Sequence, residues 1–377
     1  MNQKLRVIIS GGGTGGHIFP AISIANALKL IAPECVILFV GAEGKMEMER
    51  VPAAGYQIKG LPVAGLKRSL SLDNIKLPFK LLHSLRLAGK IIDNFQPDIA
   101  VGVGGYASAP LLWMAGRRGV PYIIQEQNSY AGLTNRILAK RAELICVAYP
   151  SMERFFPAGK IMLTGNPVRE GITKPTDESR RVAQKHFGTD SAKKCILIVG
   201  GSQGAGTLNR CIMKWIAENR ESDTEIIWQC GKFYHKEAEE FNRENPRDFV
   251  KCYEFIKEMD LAYAAADLVI SRAGAGTISE LSIAGKAVIF VPSPNVAENH
   301  QMHNAMALVS KDAAIMISDT HAPQTLMIEA TELVNRAQRI EELEKNIAKL
   351  AVRESALTIA KELISIVSRG KQETKKR

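Results

Sequence analysis

Two Rossmann-like α/β domains, each with a parallel sheet and both facing a cleft, are the fold class this sequence predicts. Three observations predict it. A short apolar run, a glycine loop and a helical pattern open the chain, and the same succession restarts near residue 193. In both halves, further short apolar runs alternate with helical stretches. That alternation marks βαβ units, whose crossover helices make neighbouring strands parallel. Between the halves, Gly165, Pro167, Gly171 and Pro175 interrupt regular structure and place a boundary. The expected domains are residues 1–166 and 167–349, with a helix over about 350–370 packing back on the first. A length of 377 residues suits two domains.

In chain order, Leu5–Ser10 is the first strand, Ile18–Ile31 a helix and Cys35–Val40 the second strand. Further strands are expected at Ile99–Val103, Tyr122–Gln125 and Leu144–Val147. In the second half Cys195–Val199 is a strand, Gly200–Gly206 a loop and Leu208–Glu218 a helix. Strands at Glu225–Gln229, Val250–Tyr253, Leu268–Ser271 and Ala287–Val291 follow, and Ile340–Val367 reads as helical.

Four glycine-bearing loops end strands of these sheets: 11–16, 102–106, 200–206 and 272–277. Glycine lets backbone N–H groups approach a ligand, and a helix N-terminus favours anions. Gly11, Gly13 and Gly16 satisfy G-x-G-x-x-G and Glu43 ends the next strand, which alone fits a dinucleotide enzyme or a tight turn without ligand. Such loops in both halves favour a nucleotide enzyme with one ligand part per domain, and disfavour an NAD dehydrogenase. Gly201-x4-Gly206-Thr207 lacks the lysine of a P-loop, so ATP or GTP hydrolysis is not expected. No Asp-x-Asp pair or His/Cys cluster offers a metal site. The sequence requires no cofactor, and stimulation by a divalent cation stays open.

The net charge of +10 is local. Residues 59–92 hold seven basic side chains against Asp73, and 368–377 hold five against Glu373, which leaves the remainder neutral. A nucleic-acid coat is therefore not expected. Within 67–95, apolar Ile75, Leu77, Phe79, Leu82 and Leu85 interleave with Lys76, Lys80 and Arg86. That composition suits an anionic membrane surface, and Trp113 is a candidate to join it. A core-packing helix with a charged outer face is the plainer alternative, and Pro78 argues against one uninterrupted helix. The six cysteines lack paired spacing and read as buried thiols of a cytoplasmic protein. The apolar start is too short for a signal peptide.

Read together, Gly-Gly-Thr-Gly-Gly-His (12–17), Gly-Val-Gly-Gly-Tyr (102–106), Glu-Gln-Asn (126–128), Ala-Gly-Leu-Thr-Asn (131–135), Gly-Asn-Pro-Val-Arg (165–169), Gly-Gly-Ser-Gln-Gly-Ala (200–205), Arg-Ala-Gly-Ala-Gly-Thr-Ile-Ser-Glu (272–280) and Asn304-Ala305 resemble the MurG family. These are the N-acetylglucosaminyltransferases of peptidoglycan synthesis. The resemblance implies a GT-B fold and an inverting transfer of GlcNAc from UDP-GlcNAc. The implied acceptor is the MurNAc 4-hydroxyl of undecaprenyl-pyrophosphoryl-MurNAc-pentapeptide. It also implies a peripheral place on the cytoplasmic face of the bacterial inner membrane, and other cell-wall synthesis proteins as further partners. Another UDP-sugar transferase or an epimerase of the same fold is the alternative. By the same resemblance Thr14, Gly15 and Gly16 lie beside the donor sugar and Asn128 holds a sugar hydroxyl. Arg169 and Ser202 meet the diphosphate, and Ile256 meets uracil through its backbone. Ala275, Gly276 and Thr277 line the nucleotide, Glu280 accepts from the ribose hydroxyls, and Gln301 contacts GlcNAc. The chain departs from the family pattern at Gln125, where a histidine is common, at His300, and in a longer loop over Pro292–His300.

Displacing UDP needs a base for the attacking hydroxyl and a stabiliser for the leaving diphosphate. His17, at the mouth of the first loop, has the side chain for a base, since imidazole titrates near pH 6.5. Capping the loop or orienting a phosphate is its other reading. Glu126 is the rival base, or a holder of backbone groups. Glu280 is otherwise a first-turn acid, and Arg169 an ion pair at the domain boundary.

Overall fold

The computed structural model describes residues 4–63, 77–105, 107–169 and 171–376, with the backbone alone at 77–79, 297 and 373–376. It divides into two units, Met1–Arg169 with Arg353–Arg377, and Glu170–Val352.

The first unit runs β1 (Arg6–Ser10), α1 (Gly15–Ile31), β2 (Val36–Ala42), α2 (Glu47–Ala53), β3 (Gln57–Leu61), α3 (Leu77–Phe95), β4 (Ile99–Gly102), α4 (Ser108–Arg117), β5 (Tyr122–Glu126), α5 (Leu133–Leu138), β6 (Leu144–Val147) and β7 (Ile161–Leu163). The second begins with α6 (Asp177–Phe187), β8 (Lys194–Val199), α7 (Gly206–Glu218), β9 (Thr224–Gln229), α8 (His235–Glu244), β10 (Val250–Tyr253) and α9 (Met259–Ala265). It continues through β11 (Leu268–Ser271), α10 (Ala275–Ala284), β12 (Val288–Phe290), α11 (His300–Val309), β13 (Ile315–Met316), α12 (Ala322–Val334) and α13 (Ala337–Ala348). The last helix, α14 (Ser355–Lys376), belongs to the first unit again.

Every strand pairing is parallel, in the orders β3-β2-β1-β4-β5-β6-β7 and β10-β9-β8-β11-β12-β13. Both faces of such a sheet are covered, which is why the strands read as continuous apolar runs. In β1, Val7 and Ile9 face a core built with α1 and α14, while Ile8 faces another built with α3 and α4. The second sheet buries Ile196, Ile198, Trp228 and Ile270 beneath α7 and α12. Each sheet reverses its order of growth at its first strand, between β1 and β4 and between β8 and β11. Ligands of open α/β sheets bind outside the carboxyl ends of strands at that reversal.

Three strands lack a clear sequence signal. β3 carries Lys59 and Gly60 at a sheet edge, while β7 and β13 are very short. The region 340–367 is two helices, not one. Residues 349–354 separate α13 from α14, with Glu354 at φ 57°, and the two helices belong to different units. Pro78 does not break α3. It falls in the first turn, where its missing N–H would have no helical partner in any case.

Candidate active site

All four glycine loops lie at the two sheet reversals, after β1, β4, β8 and β11. In the first unit they converge on His17. Its Nδ1 lies 3.0 Å from the Gly12 carbonyl oxygen and 3.3 Å from Thr14 Oγ1. Gly104 leaves room for the ring. A Cβ there would come within 2.8 Å of His17 Nε2, and its φ of +95° would strain any side chain. Ser108 Oγ donates to the carbonyls of Ser10 and Gly104, which ties the loops after β1 and β4 together. Thr14 and Gly16 are exposed and Gly15 is half-buried. Gly15 and Gly16 open α1, where the first N–H groups of a helix have no partner within it.

Glu126 ends β5 and is fully buried. Its carboxylate accepts from Asn128 N and Nδ2, Gly132 N and Asn135 Nδ2, at 2.8–3.3 Å. Burial pushes its carboxyl above the ordinary range, and these donors oppose that. Since all four partners donate, the ionised form is the one that fits. The geometry gives Glu126 the work of shaping the 126–135 turn that presents half-buried Asn128. Next to it, Gln125 donates to Asn166 Oδ1, Asn166 to the Gln127 carbonyl, and Gln127 to Val103 O and Gln125 Oε1. This buried network joins β5 to the loop after β4 and to the 165–169 segment. Arg169, at the end of that segment, lies 5.9 Å from the Phe19 ring on α1, and Ser23 Oγ holds the Val168 carbonyl.

In the second unit Ala275, Gly276 and Thr277 form the first turn of α10 and are half-buried, and a helix N-terminus of this kind favours an anion. Glu280, one turn on, is buried and accepts from Tyr263 Oη at 2.9 Å. Ser202 is half-buried in the loop before α7. Ile256 N donates to the buried Gln229 Oε1 at 2.8 Å, so this backbone donor is engaged from within the chain. Gln301, on α11, accepts from Ser293 N at 2.8 Å, and Asn304 donates to Ala273 O. Arg272 and Thr207 both bind Asp319, joining the loop after β11 to the start of α7.

Of the apolar and basic patch, Ile75 and Lys76 lie outside the described residues, as do the side chains of Leu77 and Phe79. Lys80, Leu82 and Arg86 are exposed on α3. Exposed apolar side chains are not confined to α3. α4 packs against α3 and α5, and Leu81, Trp113, Leu133 and Ile137 on these helices are exposed. Arg117 lies over the Trp113 ring at 5.9 Å. No described helix is long and apolar enough to cross a membrane.

Sequence reasoning missed Tyr263, Asp319 and the amide network, since ordinary residue types far apart in sequence carry no spacing signal. Gln125 was visible only as a departure.

Comparison with known proteins gives matches across both units. The glycosyltransferase family 28 N-terminal domain matches residues 7–147, and the glycosyltransferase family 28 C-terminal domain matches 195–363. The UDP-N-acetylglucosamine--N-acetylmuramyl-(pentapeptide) pyrophosphoryl-undecaprenol N-acetylglucosamine transferase of Phocaeicola vulgatus is 55% identical over 99% of both chains. The protein of the same description in Parabacteroides distasonis is 54% identical over 97% of this chain and all of its own. Among solved structures, Acinetobacter baumannii MurG superposes with a TM-score of 0.77 at 27% identity, covering 96% of this chain and all of that one.

Proposed function

The chain belongs to the MurG family of glycosyltransferase family 28, a GT-B hexosyltransferase family of peptidoglycan synthesis, and from that premise we infer how its residues divide the transfer. GlcNAc moves from UDP-GlcNAc to the MurNAc 4-hydroxyl of undecaprenyl-pyrophosphoryl-MurNAc-pentapeptide, with inversion at the anomeric carbon. The observation that carries the division of labour is the placing of two glycine loops at the sheet reversal of each unit.

The first unit takes the acceptor and supplies the base. A carbonyl oxygen cannot donate, so the contact to Gly12 O requires the proton on His17 Nδ1 and leaves the Nε2 lone pair as the proton acceptor. As the hydroxyl oxygen bonds to the anomeric carbon, its proton passes to Nε2 and the bond from that carbon to the β-phosphate oxygen breaks. UDP leaves with the electron pair. Thr14, Gly15 and Gly16 flank the sugar, and Asn128, held by Glu126, binds one of its hydroxyls. Glu126 positions and does not itself take the proton.

The second unit holds the donor. The first turn of α10 and Ser202, with Arg169, stabilise the charge that develops on the diphosphate. Glu280 takes the ribose hydroxyls, Ile256 the uracil and Gln301 the GlcNAc. An incoming uracil replaces the contact between Ile256 N and Gln229. The exposed face of α3, α4 and α5 rests on the anionic cytoplasmic surface of the inner membrane, where a polyprenyl-linked acceptor is found.

A donor-specificity assay with the muramyl lipid present tests this reading. Net transfer of GlcNAc, and of no other nucleotide-linked sugar at a comparable rate, is expected. Preferred transfer of another sugar, or epimerisation of UDP-GlcNAc without transfer, overturns it.

A further inference from the structure

The Gly12–Gly13 peptide group is held from both sides. Its carbonyl accepts from His17 Nδ1 at 3.0 Å, and its N–H, on Gly13, donates to Glu47 Oε2 at 2.9 Å. Glu47 opens α2, after β2, and is fully buried. Its other oxygen, Oε1, accepts from Ala42 N at 2.9 Å, so the carboxylate is fixed to the end of β2. The packing around this unit is tight. A Cβ on Gly12 or Gly41 would run into the Glu47 side chain, and one on Gly105 into the Gly12 carbonyl.

From this geometry we propose that Glu47 is a positioning residue for His17, acting through the intervening peptide group. The inference rests on the reading of His17 as base. A carboxylate on the N–H of an amide polarises the group and makes its carbonyl oxygen a stronger acceptor. That oxygen then holds the His17 proton on Nδ1 and turns Nε2 to the substrate side. In hydrolases a carboxylate bonded directly to imidazole does this work. Here one peptide unit stands between the two. The arrangement also gives the Gly13 N–H a partner inside the protein, so the anion-binding donors of this loop lie further on, at Gly15 and Gly16.

The full-length protein with nitrogen-15-labelled histidine provides the test, with His17→Ala used to assign the ring. In the wild type, neutral His17 is expected to carry its proton on Nδ1. A proton on Nε2 instead overturns the proposal without any Glu47 variant having to fold. In Glu47→Gln a single oxygen serves one of the two N–H groups, while the amide nitrogen confronts the other. The Nδ1–H signature is expected to weaken, and kcat to fall about ten- to a hundredfold, the loss typical when the partner orienting a metal-bound histidine is removed. KM for UDP-GlcNAc should move less than about threefold, because the lost interaction serves the transfer step. Unchanged kcat, or a fall in kcat and Tm with the ring signature unmoved, makes Glu47 a loop brace only and sinks the proposal. The base reading fails separately, if His17→Ala keeps wild-type kcat.

Discussion

At the scale of single residues, the two candidate bases have opposite surroundings. His17 is half-buried at exposed Thr14 and Gly16, with one ring nitrogen tied to a carbonyl. Glu126 is sealed in and spends its oxygens on four donors. His17→Ala is expected to lower kcat by about 10²–10⁴, the span of general-base catalysis, while calorimetry still detects UDP-GlcNAc binding. Glu126→Gln presents an amide nitrogen to groups that only donate. It should lower stability by about 1–3 kcal/mol, the cost of leaving buried polar groups unpaired, as read from urea denaturation. If Glu126→Gln matched the wild type in stability yet lost turnover, Glu126 would be the base after all.

At the scale of elements, Glu280 in the second turn of α10 and the buried tyrosine of α9 form one hydrogen-bonded pair. Tyr263→Phe removes the hydroxyl that holds Glu280, and Glu280→Ala removes the acceptor itself. Both should raise KM for UDP-GlcNAc, Glu280→Ala the more, with kcat changed less; an unchanged KM in both variants rules out a ribose role. The glycine loops were legible because their chemistry is local: a strand, a turn without Cβ and a helix start are neighbours in sequence. Strands buried on both faces, such as Ile196–Val199 in β8, were legible for the same reason. What escaped depends on distance. Glu47 reaches Gly13 only because β2 lies beside β1, and Asn166 reaches Gln125 only because the chain after β7 folds back. The break between α13 and α14 was hidden because residues 349–354 include no proline or glycine.

At the scale of the molecule, the basic surplus read from composition has a partial location. Exposed Lys80, Arg86 and Lys90 on α3 accompany Leu81 and Leu82, and Trp113, Leu133 and Ile137 are exposed on neighbouring α4 and α5. The protein should co-sediment with anionic vesicles, less so as salt rises, and Leu82→Glu combined with Trp113→Ala should weaken the binding while leaving UDP-GlcNAc affinity intact. Salt-insensitive binding, or none, would exclude an electrostatic and apolar docking face. The first unit also depends on a distant part of the chain. Ile359, Ala360 and Leu363 of α14 are buried with Ile24 and Leu28 of α1. Leu363→Ala should cost about 2–5 kcal/mol by opening a cavity there, measured as a lower Tm.

That dependence has a consequence for how the protein is made. Synthesis runs from the N-terminal side to the C-terminal side, so the apolar side of α1 emerges from the ribosome before α14 can cover it. The whole second unit must then be translated before Leu363 appears. During that interval the second unit, continuous in sequence, can fold to completion, while the unit begun earlier waits for its last helix. The order of birth and the order of completion are reversed.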